Sequence, residues 1–207
     1  MKIKIVLCEG LRDSRLVQAI LEYYTDFRPV TDDKRKKVEK RLEELIKNLI
    51  GRIEDIYGKE NDYVVILNMQ SEFSKFLSDK SLLEAYKDLE LEENVELIFV
   101  FDSEYSKLKD HFKSCLIFNN RIEDFIINIV HNLDVDVDTN ITNDLLKYCQ
   151  KYNNKINEDK FKVQLYHLIL SAGKCDKVMF VKLFKLLEEK NLEKPKEILD
   201  LINLLTS

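Results

Sequence analysis

The chain has little of what interrupts secondary structure: 4 glycines and 2 prolines in 207 residues. That scarcity leaves little room for long irregular loops. Its four cysteines, Cys8, Cys115, Cys149 and Cys175, are widely separated and form no CxxC pair. A zinc cage is thereby not expected; three of the cysteines sit in or beside apolar runs, and the thiols are expected to be reduced and buried. No apolar stretch reaches the ~20 residues of a membrane span. No secretory leader opens the chain, because MKIKIVLCEG meets a carboxylate too soon, so a cytoplasmic protein without membrane attachment is expected. No Walker or dinucleotide glycine motif occurs. His111, His131 and His167 pair with no serine or cysteine in a recognisable motif, which removes support for nucleophilic catalysis. A net charge of −5 argues against a broad sequence-independent nucleic-acid footprint. It leaves open an enzyme that meets phosphate locally through cations.

What is present is an alternation of strands and helices. Residues 2–8 (KIKIVLC) read as a strand, and Gly10 follows at once. Leu16, Ala19, Ile20 and Tyr23 then repeat at helical spacing. Thr31, Asp32 and Asp33 supply a cap and an acidic first turn. From Val38 through Leu42, Leu45, Ile46, Leu49, Ile50 and Ile53 to Ile56 the apolar spacing predicts one long helix over 31–57, ending at Gly58. Residues 63–68, 95–101 and 114–118 read as further strands, with helices over 71–90 (in two pieces) and 104–112. Beyond residue 120 only helical patterns follow, at 121–133 and near 141–152, 158–172, 176–190 and 194–205. The reading is an α/β domain over 1–120 with a helical insertion at 31–58, and an all-helical region over 121–207. Alternating strands and helices imply a parallel sheet with right-handed crossovers.

Chemistry concentrates where predicted strands end. In open parallel sheets, ligands bind beyond the carboxyl ends of the strands. Glu9 closes the first strand; Asp102 and Glu104 close the third. Adjacent strands would make these carboxylates converge, and converging carboxylates call for a cation. Oxygen donors suit Mg²⁺ or Mn²⁺. Gly10 allows a sharp turn and close approach of a phosphate, and the helix beginning near Leu11 turns its positive end to the same spot.

The run Cys8-Glu9-Gly10-x-x-Asp13-x-x-x-Val17-x-x-Ile20-Leu21 resembles the first motif of the Toprim family. IFVFDSE, at Asp102 to Glu104, resembles that family's strand ending in Asp-x-Asp. The likeness covers roughly residues 2–120. Glu104 stands where the family has its second aspartate, and Tyr105, Ser106 and Lys107 stand where a glycine often follows. The resemblance implies a small four-stranded parallel sheet flanked by helices. It implies Glu9 as general acid or base, Glu9, Asp102 and Glu104 as ligands of Mg²⁺ (or Mn²⁺), and Gly10 with Asp13 on the phosphate side. A fainter likeness to stand-alone OLD-type Toprim proteins adds Glu123 and Asp124 as ligands of a second metal. It also offers Lys160 or Lys162 to neutralise transition-state charge.

Lys34, Arg35 and Lys37 are candidates for contact with a nucleic-acid backbone, although Glu39, Glu43 and Glu44 also mark that helix as a solvated face. DVDVDTN (134–140) opens like a calcium loop. It has Thr139 where the glycine belongs and Leu145 where the closing glutamate belongs, so it reads as an acidic loop. The expectation is a Mg²⁺-dependent phosphodiester hydrolase or transferase acting on DNA or RNA, a nuclease before a primase or topoisomerase. The rival is a catalytically degenerate Toprim-like protein that acts through partners. In either case the helical regions could carry a homodimer or a protein partner.

Overall fold

A computed structural model describes residues 1–46, 50–118, 121–133, 139–153 and 155–207. The first half runs β1 (Lys2–Cys8), α1 (Leu11–Tyr24), β2 (Arg28–Pro29), α2 (Asp32–Leu45), β3 (Arg52–Lys59) and β4 (Asp62–Asn68). It continues with a 3-10 turn (Gln70–Glu72), α3 (Phe73–Ser78), α4 (Lys80–Leu89), β5 (Val95–Phe101), a 3-10 segment (Ser103–Asp110) and β6 (Cys115–Ile117). Helices α5 (Ile122–Asn132), α6 (Thr139–Tyr152), α7 (Glu158–Ser171), α8 (Asp176–Glu189) and α9 (Lys196–Thr206) follow. No described helix is long and apolar enough to cross a membrane.

The sheet has six strands in the order β2-β3-β4-β1-β5-β6. β1 pairs in parallel with β4 and β5, and β5 in parallel with β6. β3 runs antiparallel to β4, and β2 antiparallel to β3. The sheet is therefore mixed, and the expectation of a purely parallel four-stranded sheet is corrected. Four parallel strands are present, extended at the β4 edge by β3 and then β2, each antiparallel to its neighbour.

That extension comes from the segment read as the end of a long helix. α2 stops at Leu45, and residues 52–59 form β3. Ile46, Ile50, Ile53 and Ile56 satisfy helical spacing, which is why the sequence misleads. Gly51 decides the matter locally. It has φ +87°, and a Cβ there would lie 2.7 Å from the carbonyl oxygen of Asn68. Only glycine fits where the chain enters the sheet so close to β4. Its N–H donates to Glu72 Oε2 at 2.6 Å, and the N–H of Ile50 to the Tyr86 hydroxyl at 3.1 Å. Glu60, at φ 55°, turns β3 back into β4.

Side chains alternate across the sheet, as strand geometry demands. Val6, Cys8, Val64, Ile66, Ile98 and Val100 face a cluster shared with α1, α5, α7, α8 and α9. Ile3, Ile5, Leu7, Val65, Leu67, Phe99 and Phe101 face the other cluster, with α2, α3, α4 and the 3-10 segment. Both faces of the central strands are covered, which explains their unbroken apolar runs. All four cysteines are free, but the expectation that they are buried holds fully only for Cys8. Cys115 and Cys149 are half-buried and Cys175 is exposed at the start of α8. The acidic-loop reading falls on residues 134–138, outside the described residues, while Thr139 and Asn140 already belong to α6.

The two readings of residue 51 predict opposite signs for one substitution. In a helix interior, Gly51→Ala would stabilise by about 1 kcal/mol. At a left-handed position against a carbonyl it is expected to destabilise by roughly 2 kcal/mol or more. Thermal unfolding should show Tm lowered by roughly 4–8 °C. An unchanged or raised Tm would remove the left-handed turn.

Candidate functional site

Because β1 and β5 are hydrogen-bonded neighbours, Glu9 and Asp102 emerge side by side at the same end of the sheet. The N–H of Asp102 lies 3.4 Å from Glu9 Oε2. Asp102 Oδ1 in turn accepts from the N–H of Ile122 at 3.0 Å, the first backbone donor of α5. Helix α1 begins at Gly10, whose N–H donates to Asp13 Oδ2 at 2.9 Å. Asp13 thus caps its own helix from the third position, half of a capping box. It is only 5% exposed, and its Oδ1 is buried with no hydrogen-bond partner.

These groups line a cavity of about 720 Å³ with Leu11, Arg12, Gln70, Phe73, Ser74, Glu104, Tyr105, Arg121, Glu123, Asn157 and Lys160. A second depression of about 430 Å³ shares Asp102, Glu104 and Arg121 with it and adds Ser103, Asp124 and Asp159. Three helix starts open onto the larger cavity: Gly10 and Leu11 of α1, Arg121 and Ile122 of α5, and Asn157 of α7. Asn157 caps α7 by accepting from the N–H of Lys160 at 2.9 Å.

Of the residues chosen from sequence, Glu9, Gly10, Asp13, Asp102, Glu104, Glu123 and Lys160 line this cavity, and Asp124 lines the adjoining depression. The structure gives several of them a specific partner. Glu123, 8% exposed, is bound by Arg12 Nη1 at 2.7 Å. Asp124 accepts from the backbone N–H of Arg121 at 3.3 Å. Lys162 sits elsewhere on α7, with its amine 2.6 Å from Glu158. Lys34, Arg35 and Lys37 lie on α2 and do not line the cavity; Arg35 pairs with Glu39 at 2.9 Å.

Sequence reasoning named Lys160 but missed the cavity's two arginines, Arg12 and Arg121. Arg12 reaches Glu123 at 2.7 Å and Asp176 of α8 at 3.6 Å, and His167 of α7 lies 3.7 Å from the same aspartate. Nothing in the sequence links Arg12 to a partner 111 positions away. Arg121 and Tyr105 were equally silent. Asn157 did carry a signal, a capping residue just before an acidic helical turn.

Crowding has an electrostatic consequence. Burial is the main cause that pushes Glu9 up to about 7, and the nearby charges of Asp102, Glu104 and Glu123 push the same way, against the Asp102 N–H. Burial also leads for Asp102, which rises to about 6, with Glu123 and Glu104 adding to it and the Ile122 N–H and Arg121 opposing. Asp13 lies well above the usual carboxylate range, first from burial and then from Asp102. The donor set is all oxygen, as a hard divalent cation prefers. As the side chains stand, no three His, Cys, Asp or Glu residues among those described are grouped to enclose a metal ion.

No protein-family model matches the chain. Neither does any curated protein. Among solved structures, the chain resembles the crystal structure of the hypothetical protein PH0156 from Pyrococcus horikoshii OT3. The two are 17% identical, with all of both chains covered and a TM-score of 0.54. That likeness is one of fold.

The raised carboxyl groups make stability depend on pH. Glu9 is better accommodated protonated, so its favourable contribution is complete below about pH 4.5 and lost as pH rises through about 7. For Asp102 the window runs from 3.8 to about 6. Glu9→Gln, which mimics the protonated form, should stabilise the metal-free protein at pH 8 by on the order of 2 kcal/mol after allowance for its partial exposure. Calorimetry should show Tm raised by roughly 4–8 °C at pH 8 and nearly equal values at pH 4. A gap of the same size at both pH values would assign the effect to packing.

Proposed function

We propose that the chain is a Toprim-type, Mg²⁺-dependent phosphodiester hydrolase acting on nucleic acid, most simply a nuclease. The observation that carries this reading is the pairing of β1 with β5. It brings Glu9 and Asp102 to adjacent strand ends, where the sequence resembles that family's two motifs. Glu104 lines the same cavity.

The residues fit a divalent cation in two respects. Burial and nearby carboxylates disfavour the charged forms of Glu9 and Asp102, a cost that a cation would relieve. Asp13 Oδ1 is a buried oxygen without a donor. Mg²⁺ keeps several waters and is usually held by one or two carboxylates plus substrate phosphate, so a full protein cage is not required. In this reading Glu9 and Asp102, with Glu104, hold the ion, which when bound would polarise the phosphate.

The other roles fall to the chain itself. Without metal Glu9 lies at about 7; a bound cation would lower that value and leave Glu9 ionised, in the form that can take a proton. Arg121 and Lys160 line the cavity and, with the starts of α1, α5 and α7, offer positive charge and backbone N–H groups to phosphate oxygens. Arg12 is committed to Glu123 and Asp176, which makes Glu123 a weaker candidate for a second metal than Asp124.

The test is cleavage of labelled single- and double-stranded DNA and RNA with Mg²⁺ or Mn²⁺. Wild type should cleave at least one substrate only with metal, and Glu9→Gln and Asp102→Asn should each lose about 10²-fold or more. Absence of cleavage together with absence of Mn²⁺ binding by calorimetry would leave the partner-binding reading, which the Arg12–Glu123 pair already favours at one position.

A further inference from the structure

Helix α6 carries apolar side chains on two adjoining faces. Leu146 and Thr142 are buried against the protein, but Ile141, Leu145, Tyr148 and Tyr152 are 60, 44, 58 and 78% exposed. At spacing i, i+4, i+7 and i+11 they stack into a single stripe along the helix. The two tyrosine rings adjoin, with centroids 5.3 Å apart. Together the four expose roughly 500 Å², near the upper end of the ~300–600 Å² patches on soluble monomers. A solvated helix has no physical use for such a stripe.

The order of residue types along the stripe identifies what covers it. The two aliphatic side chains occupy the N-terminal half and the two aromatic ones the C-terminal half. A second copy of α6, running antiparallel about a two-fold axis between Leu145 and Tyr148, would set Ile141 on Tyr152 of the partner subunit. Leu145 would meet Tyr148 of the partner subunit. Every aliphatic group then packs on a ring, twice over, which is the self-complementarity an isologous interface requires. A parallel pairing would set like against like.

The charges follow the same symmetry. Asp144 and Lys151 are seven residues, two turns, apart on one flank of the stripe. An antiparallel pairing places each flank against the same flank of its copy, so Asp144 faces Lys151 of the partner subunit in two equivalent bridges. Within the chain, Asp144 has Lys147 at 3.9 Å, both about three-quarters or more exposed, a contact of little worth. The stripe's roughly 500 Å² is smaller than the ~800 Å² per partner of a standard interface, in keeping with a reversible dimer.

We propose that α6 is a self-association surface through which two copies of this chain pair antiparallel about a two-fold axis. The inference stands apart from the function proposed for the cavity. Sedimentation velocity on the full chain over a concentration series is expected to show a reversible monomer–dimer equilibrium. Leu145→Glu and Tyr148→Glu, at exposed positions that leave the circular dichroism spectrum unchanged, should each weaken it at least ~100-fold. Asp144→Lys and Lys151→Asp should each weaken it about tenfold, and the double variant should restore it, because the bridge re-forms with its signs exchanged. A wild type that stays monomeric throughout would overturn the proposal and assign the stripe to a different partner. A dimer indifferent to Leu145→Glu, or one that the charge-swapped pair fails to restore, would overturn it equally.

Discussion

Everything at the carboxyl end of this sheet depends on the position of β1 between β4 and β5. The strand is covered on both faces and hydrogen-bonded on both edges, with Ile3, Ile5, Val6, Leu7 and Cys8 all at or below 1% exposure. Its register sets Cys8 against Asn68 on one side and Val100 on the other. A slip of one residue would turn each side chain to the wrong layer, so two packed cores fix that register. Glu9 is simply the next residue. Its place beside Asp102 is a by-product of apolar packing several residues away, which fixes the backbone from which the carboxylate pair projects.

That placement imposes a charge problem, and the fold solves it only in part. Asp102 takes a backbone donor from Ile122, Asp13 takes one from Gly10, and Glu123 takes the guanidinium of Arg12. Each partner belongs to a helix start or to a side chain on the first turns of α1. The carboxylates therefore tie α1 and α5 to the strand ends. Yet among the described residues one oxygen of Asp13 is left without a donor, and Glu9 has one long backbone contact, at 3.4 Å. A buried ionic network that served stability alone would be expected to satisfy its members, since a half-satisfied one is worse than an apolar core. In the proposed reading, a bound cation would complete that satisfaction.

Much of this was legible in the sequence, for identifiable reasons. The parallel strands announce themselves because burial on both faces leaves unbroken runs such as YVVILN and VELIFVF. Their carboxyl-end acids could be read straight from the chain. β3 was not legible as a strand. RIEDIYGK is half-exposed, and its Ile53 and Ile56 continue the spacing of α2, so a periodic count favours helix until Gly51 forbids it. The two residues of β2 are too few to carry any pattern. Arg12 was illegible in another sense. Its type is visible, but its partners come from α5 and α8, and only the packing of those helices on the α1 face of the sheet brings them together.

The net charge of −5 looks hostile to a polyanion, and the geometry shows why it is a poor guide. At physiological salt, charges more than ~8 Å apart in solvent are largely screened. What a phosphate meets is therefore set by the groups lining the cavity. There Glu9 and Asp102, at the strand ends, share the lining with Arg121, Lys160 and the N-termini of three helices. An anion entering such a cavity would meet Arg121 and Lys160 among its lining residues together with the carboxylates. Those carboxylates repel it unless a cation lies between. In the proposed reading, anion binding would be conditional on cation binding, a dependence that would follow from the positions of Glu9 and Asp102 rather than from the overall charge.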